Sequence, residues 1–406
     1  MAESTQKKKI IFVDDEPHVL SGLRRMLRSQ RNEWDMTFAE SGQEALALMA
    51  NERFDVIVSD MQMPGMSGAE LLETINERYP GTVRIVLSGH ASPNTMHKVV
   101  QHAHQFLAKP YDSTGLIEIL QKACLISGLL TSERLRDLIV CFGSLPSVPA
   151  IYKELMELIR SDDSSIEAVG QVIGKDPAMS GKVLQVVNSA FYGLPRNISN
   201  PEQAVVVLGL ETVRDLALGA CVFNQIPEHI CHEFHLDAMW VHCNRVSRIA
   251  RRIARHEGFD KKAQDIVTSA GLFHDFGRMI MASSVPDIFR DVDVVRQHDK
   301  LPLWQIEKQM LGATHAEIGA YLLGIWGLSD EVICAVGAHH GLHPALSQGI
   351  AYAAIINIAD FIDHDLNEND DSEGLINHEL LAAAGYANKL EEWRNLIGDE
   401  FDVSDS

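Results

Sequence analysis

The sequence is poor in several features that mark whole classes of protein. Its six cysteines, spread over 406 residues, show no paired spacing, which indicates reduced thiols rather than a disulfide framework. Basic residues are outnumbered, with 35 Lys and Arg against 56 Asp and Glu, and this balance argues against nucleic-acid binding. No apolar run is long enough to span a bilayer, and the polar N-terminus lacks an apolar signal core. We therefore expect a cytoplasmic protein that binds neither nucleic acid nor membrane.

Two styles of hydrophobic patterning divide the chain. Between residues 8 and 127, short apolar runs alternate with amphipathic stretches, the pattern of a buried parallel sheet with crossover helices. The five strand candidates are Ile10–Val13, Met36–Ala39, Val56–Val58, Ile85–Leu87 and Phe106–Ala108. We predict an α/β domain with a flavodoxin-like, doubly wound, five-stranded parallel sheet in the order 2-1-3-4-5.

The rest of the chain has no strand pattern and is predicted to be all-α. Residues 128–142 are apolar and helical in pattern, so we expect a helical linker there. A helical domain should cover residues 143–395, and residues 396–406 form an acidic tail. Three serines are predicted to open helices as capping boxes, each with a Glu three residues later: Ser41, Ser67 and Ser164.

Polar residues follow four of the five predicted strands. These residues are Asp14 and Asp15 after the first strand, Asp60 after the third, Ser88 after the fourth and Lys109 after the fifth. Because ligands of such sheets bind beyond the carboxyl ends of the strands, we expect these side chains to converge. Grouped carboxylates need a hard cation such as Mg²⁺, and a lysine would offset the charge of a transferred phosphoryl group. The pattern predicts phosphoryl chemistry with a carboxylate nucleophile.

These residues stand in motifs that resemble response-regulator receiver domains. The matching segments are Val13–Glu16, Val58–Gly65, Leu87–Gly89 and Ala108–Asp112. The resemblance implies that Asp60 accepts a phosphoryl group from a histidine kinase. It implies that Asp14, Asp15, Asp60 and the main-chain carbonyl of Gln62 hold Mg²⁺. It also places Ser88 and Phe106 at the positions of the family's switch pair, with Lys109 at the phosphoryl group.

A second group of candidate residues is rich in histidine. Its members are His242, His274, Asp275, His315, His339, His340 and Asp360. Imidazoles and carboxylates on facing helices suit a mixed-ligand metal site with room for an activated water. Buried histidines that satisfy helix ends would give the same sequence pattern, and both interpretations stay open.

The segment Gly271–Arg278 resembles the HD superfamily of metal-dependent phosphohydrolases, with His242 and Asp360 at the outlying ligand positions. Three upstream segments, Leu145–Pro149, Asp176–Ser180 and Val187–Gly193, are similar to HDOD domains, which are HD relatives used in signalling. The resemblance implies a divalent metal, for example Fe, Mn, Zn or Ni.

Histidines 315, 339 and 340 also resemble those of HD-GYP cyclic di-GMP phosphodiesterases. However, Gly341-Leu342-His343-Pro344 replaces the Gly-Tyr-Pro loop of that family, and Arg278 stands where it carries a Lys.

We therefore expect a response regulator whose helical output domain regulates an unidentified signalling protein by contact, without being an enzyme. The alternative is a receiver-gated phosphohydrolase or phosphodiesterase that acts, for example, on cyclic di-GMP. Phosphorylation would shift an existing equilibrium and release, rotate or dimerise the helical domain, so a homodimer is one expected state.

Overall fold

A computed structural model gives the fold of the chain in two compact units. It describes residues 7–79, 81–88, 103–129, 165–175, 201–223, 226–299, 301–326, 328–343, 349–366 and 376–404, with a few isolated positions between them. One unit comprises Met1–Val140 with Leu323–Leu328, and the other comprises Cys141–Leu322 with Ser329–Ser406.

The first unit is a parallel sheet flanked by helices. Its strands are β1 (Lys8–Val13), β2 (Trp34–Ala39), β3 (Val56–Asp60), β4 (Val83–Ser88) and β5 (Gln105–Ala108). Its described helices are α1 (Pro17–Met26), α2 (Gly42–Met49), α3 (Gly68–Arg78) and α4 (Ser113–Leu129), with a short 3₁₀ turn at Arg28–Asn32. The strands pair in the order β2-β1-β3-β4-β5, all in parallel. The predicted doubly wound α/β architecture is confirmed.

Burial explains why the central strands read as continuous apolar runs. Residues 10–13 of β1 and 56–58 of β3 are at most 1% exposed, because helices cover both faces of a parallel sheet. Since all strands run the same way, their carboxyl ends meet at one edge. Asp60 is the last residue of β3, while Asp14 and Lys109 directly follow β1 and β5.

The second unit is helical, as predicted. Its described helices are α5 (Ile166–Gly174), α6 (Pro201–Leu208), α7 (Leu210–Phe223), α8 (Glu228–Glu233), α9 (Leu236–His256), α10 (Lys261–Phe273), α11 (Phe276–Ser284), α12 (Pro286–Asp299), α13 (Leu303–Leu311), α14 (His315–Ile325), α15 (Asp330–Gly337), α16 (Ile350–Leu366), α17 (His378–Ala383) and α18 (Leu390–Ser404). Helices α9, α10, α15 and α16 pack against one another around its core. Among the described helices, none is long and apolar enough to cross a membrane.

Two of the three predicted helix caps are confirmed. Ser41 accepts a hydrogen bond from the main-chain N–H of Glu44, and Ser67 forms a complete capping box with Glu70. The third prediction was wrong by one residue, because Ser165 rather than Ser164 caps α5 and accepts from the N–H of Ala168.

Several predicted segments lie partly or wholly outside the described residues. Residues 128 and 129 of the expected linker belong to α4, and residues 130–142 are not among those described. The HDOD-like segments at 145–149, 176–180 and 187–193 also lie outside the described residues. The expected acidic tail begins inside α18, where Ile397 is buried.

Candidate functional site

The carboxyl edge of the sheet brings Asp14, Asp60 and Lys109 together. The Lys109 ammonium contacts Oδ1 of Asp60 and lies 3.2 Å from Oδ2 of Asp14. Oδ2 of Asp60 accepts a hydrogen bond of 2.7 Å from the main-chain N–H of Gln62. Both oxygens of Asp60 are therefore held in place, and the single lysine faces two carboxylates.

Burial sets the electrostatics of this edge. Asp14 is 2% exposed, and its burial raises the pKa of the carboxyl although Lys109 and the N–H of Glu16 oppose the shift. Burial works to lower the pKa of Lys109, but its hydrogen bond to Asp60 and the nearby charges outweigh this and raise it. Asp15 is half-buried beside Asp14. Three carboxylates against one ammonium leave an excess of negative charge, and oxygen donors of this kind fit a hard divalent cation.

The expected switch residues are only partly described. Ser88 is the last residue of β4 and Phe106 lies in β5, but their side chains are outside the part that the structure describes.

Gly68, at the start of α3, shows how closely this helix approaches the end of strand β3. A Cβ on this glycine would stand 2.1 Å from the main-chain oxygen of Asp60.

In the helical unit, all seven predicted histidines and aspartates meet in one buried cluster. Helix α9 carries His242 and α16 carries Asp360, while the other five stand at helix ends: His274 after α10, Asp275 before α11, His315 at the start of α14, and His339 and His340 after α15. The first group of potential ligands is His242, His274 and Asp360; the second is His315, His339 and His340. Within each group the donor atoms lie within 4.8 Å of one another.

Asp275 lies between the two groups. Its Oδ1 is 3.2 Å from Nε2 of His315 and 3.8 Å from Nε2 of His274. Its position before α11 is one where an aspartate usually caps the helix, yet it makes no capping hydrogen bond. Its other oxygen instead accepts a 2.8 Å hydrogen bond from Arg278. One oxygen of Asp275 thus faces the cluster, and the other pairs with the Arg278 side chain of α11 instead of capping the main chain of that helix.

Hydrogen bonds turn the Nε2 atoms of four histidines toward the cluster. Nδ1 of His274 lies 2.8 Å from the carbonyl oxygen of Gly271, and Nδ1 of His339 lies 2.6 Å from that of Val336. Because a carbonyl oxygen only accepts, each Nδ1 carries the proton and each Nε2 keeps a lone pair. Carboxylates hold the other two histidines, since Nδ1 of His242 lies against Asp363 and Nδ1 of His315 lies against Glu307.

Two buried atoms of the cluster make no hydrogen bond of good geometry: Nε2 of His339, and Oδ1 of Asp360, although the latter lies 3.2 Å from Nε2 of His242. Buried polar atoms are rarely left in this state, and both are metal-ligand types. His339 is 0% exposed and Asp360 is 5% exposed. The donor set and these orphaned atoms therefore fit divalent metal ions.

The charge states of the cluster follow from its packing. Burial lowers the pKa of His242, but the nearby carboxylates of Asp360, at 3.2 Å, and Asp363, at 2.8 Å, outweigh it and raise the pKa to about 10. His315 also reaches about 10, since Glu307 and Asp275 overcome its burial. Burial and the neighbouring histidines lower the pKa of His339 to about 3. In the absence of metal, His242 and His315 therefore hold a proton beside their carboxylate neighbours, and His339 is neutral.

Four residues near the cluster were missed by the sequence analysis: Arg245, Glu307, Asp363 and His364. The His364 ring packs against that of His242 with centroids 4.8 Å apart and planes tilted by 40°, and its Nε2 is 3.4 Å from Oδ1 of Asp360. Asp363 and His364 follow Asp360 by three and four residues, so helical spacing could have placed them on the same face. Glu307 gave no such signal.

Comparisons with known proteins match two families to two successive parts of the chain. The response regulator receiver domain family matches residues 10–121, and the HDOD domain family matches residues 145–342. The transcriptional regulatory protein GlrR of Escherichia coli is 34% identical over 132 residues, 32% of this chain and 29% of its own length. An uncharacterized protein of Treponema pallidum is 25% identical over 200 residues, 49% of this chain and 38% of its own length. The chain thus spans well under half the length of these curated relatives.

Two solved structures resemble the helical unit. An HDOD domain protein of Geobacter sulfurreducens has a TM-score of 0.52 with 24% identity, and covers 67% of this chain and 93% of its own. A protein of Shewanella amazonensis has a TM-score of 0.51 with 23% identity, and covers 66% of this chain and 95% of its own. At these identities the likeness concerns the fold alone.

Proposed function

We propose that this chain is a response regulator that a histidine kinase phosphorylates on Asp60. Its matches to the receiver domain family at residues 10–121 and to the HDOD domain family at residues 145–342 support this proposal. The observation that carries this proposal is the Lys109 ammonium in contact with both Asp60 and Asp14. Such a cation offsets charge on a phosphoryl group bound at Asp60.

Asp60 would act as the nucleophile. One of its carboxylate oxygens forms a bond to phosphorus while the bond from phosphorus to the kinase histidine nitrogen breaks, and the product is an acyl phosphate. Asp14, Asp15, Asp60 and the carbonyl of Gln62 would hold Mg²⁺, which when bound neutralises charge on the transferred group. The N–H of Gln62 and the ammonium of Lys109 keep Asp60 oriented.

Treatment with acetyl phosphate and Mg²⁺, followed by intact-protein mass spectrometry, tests whether Asp60 is the residue that accepts the phosphoryl group. We expect one added phosphoryl group in the wild type and none in Asp60→Asn. Asp55→Asn is the matched control, because Asp55 lies just before β3, at the opposite end from Asp60. Equal labelling of wild type and Asp60→Asn would contradict the assignment.

For the output domain, the assembled cluster favours a metal-dependent phosphohydrolase. The specific observation is that two three-residue groups of ligand types lie side by side, with Asp275 between them. Divalent metals bound there would supply a Lewis acid and a water of lowered pKa. The protein's own part is to fix the donor atoms and to bury them, with Arg278 holding Asp275 in place.

Regulation of another signalling protein by contact is the other output. It agrees with the absence of a Gly-Tyr-Pro motif after His340, and it needs no turnover. Hydrolysis of cyclic di-GMP and a generic phosphodiester by metal-loaded protein separates the two outputs. Turnover that His274→Ala abolishes supports the hydrolase, and absence of turnover leaves the contact mechanism.

A further inference from the structure

Two carboxylates stand behind the histidine cluster. Oε2 of Glu307 lies 2.7 Å from Nδ1 of His315 and also accepts the main-chain N–H of His315 at 2.7 Å. Oδ2 of Asp363 lies 2.8 Å from Nδ1 of His242. Each of the two ligand groups therefore contains one histidine whose Nδ1 is held by a carboxylate.

The two carboxylates differ in how their charge is balanced. Asp363 accepts two hydrogen bonds from the guanidinium of Arg245, at 2.5 and 2.8 Å, so its charge is shared with a cation. Glu307 is 0% exposed, and its Oε1 has no hydrogen bond. Within the described part of the chain, His315 is its only ion-pair partner. Burying a carboxylate without a strong counter-charge such as an arginine costs free energy of folding. The charge of Glu307 therefore acts mainly on its one neighbour of this kind, His315.

We propose that Glu307 and Asp363 are positioning residues of the metal centre, and that Glu307 contributes more to metal affinity because no arginine neutralises it. Each carboxylate fixes the Nδ1–H tautomer of its histidine, so that Nε2 is presented to the metal, and increases the donor strength of that nitrogen. Glu307 acts on the group His315, His339 and His340, and Asp363 on the group His242, His274 and Asp360. This inference rests on the proposed metal centre.

A Zn²⁺ titration of the metal-free, full-length protein tests the inference, with a chromophoric chelator as competitor. Excess Mg²⁺ is present throughout to occupy the oxygen-ligand site of the receiver. We expect two tight Zn²⁺ equivalents in the wild type. Glu307→Gln keeps the size and an accepting oxygen but removes the charge, and should weaken one equivalent by about 10–100-fold. Asp363→Asn should weaken the other equivalent by a smaller factor.

Two further variants separate positioning from folding. Glu317→Gln is the matched control, because Glu317 is also buried near His315, but its hydrogen bonds and ion pairs within the described residues go to Lys308, Thr314 and His343. It should bind Zn²⁺ as the wild type does. Glu307→Asp retains the charge and should recover part of the lost affinity, whereas a purely structural role predicts that Glu307→Gln is the milder change.

The outcomes distinguish this inference from the proposed function. If the wild type binds two Zn²⁺ ions and Glu307→Gln binds both equally tightly, the positioning role is wrong while the metal centre stands. If Asp363→Asn loses more affinity than Glu307→Gln, the charge argument is wrong. If the wild type binds no Zn²⁺ under these conditions, both the metal centre and this inference are overturned.

Discussion

Replacing Gly277 by alanine should separate the two helices that hold the centre of the histidine cluster. A Cβ at this position would stand 2.0 Å from the main-chain oxygen of His315 and 2.9 Å from the nitrogen of Gly319. Both neighbours are backbone atoms of α14, so no side-chain rotation relieves the clash. Restoring an ordinary contact requires α11 to withdraw from α14 by about 1.4 Å.

Gly277→Ala should lower both the folding stability of the helical unit and its affinity for Zn²⁺. Overpacking of this kind destabilises by about 1–3 kcal/mol, and contact with rigid backbone puts Gly277→Ala near the upper value. The unfolding temperature of the helical unit should fall by roughly 6–12 °C. Because Asp275 precedes α11 and pairs with His315 at 3.2 Å, the same shift should weaken Zn²⁺ binding at least about tenfold.

Thermal unfolding with and without Zn²⁺ measures both effects. Gly398→Ala is the control, because this glycine lies inside α18 with nothing within 4 Å of its added Cβ, and it should stabilise by about 0.5–1 kcal/mol. A Gly277→Ala protein that unfolds at the wild-type temperature, and whose unfolding temperature rises on addition of Zn²⁺ as much as that of the wild type, would show that the close approach of α11 and α14 does not matter.

Three further predictions concern individual contacts. His242→Ala and His340→Ala should each lower the Zn²⁺ stoichiometry from two to one, whereas the exposed His232→Ala should not; a wild-type stoichiometry in both cluster variants would contradict two separate ligand groups. Lys109→Ala removes the ammonium that faces Asp14 and Asp60, so Mg²⁺ should raise the unfolding temperature of the receiver more than in the wild type, and an equal increase would argue against a shared charge site. The pKa of Asp55 is lowered because Lys8, the N–H of Lys9 and Ser127 together outweigh its burial. The contribution of Asp55 to folding stability is therefore present above its unfolded pKa of about 4 and is lost as pH falls through its folded pKa. Asp55→Asn should flatten that part of the stability curve in acid denaturation, and an unchanged curve would contradict the assignment.

The receiver fold could be predicted because its signals are local and consistent. Apolar strand runs end at Asp14, Asp60 and Lys109, and a parallel sheet necessarily brings those ends to one edge. The buried strands 10–13 and 56–58 also match their predicted positions closely. The error at Ser164 has an equally local cause, since Glu167 three residues later favoured Ser164, whereas the helix begins one residue later and Glu167 falls within its first turn.

The helical cluster was predictable only in part. The His274-Asp275 pair and the outlying His242 and Asp360 follow from motif resemblance, but their spacing in sequence says nothing about which helices face one another. Glu307 was missed because it lies beside Lys308 and reads as part of a solvated face, whereas tertiary packing buries it completely. Burial of that kind depends on α13 packing beside the start of α14, and no local pattern encodes it.

We propose that a phosphoryl-accepting receiver is joined in this chain to a metal centre capable of phosphodiester hydrolysis. The most direct test of this proposal is the rate of cyclic di-GMP hydrolysis by the full-length, metal-loaded protein before and after acetyl phosphate treatment, with His274→Ala and Asp60→Asn measured alongside. We predict turnover that changes on phosphorylation, does not change in Asp60→Asn, and is lost in His274→Ala. Wild-type protein that binds its metals but shows no turnover in either state would contradict the claim and leave an output that acts by protein contact.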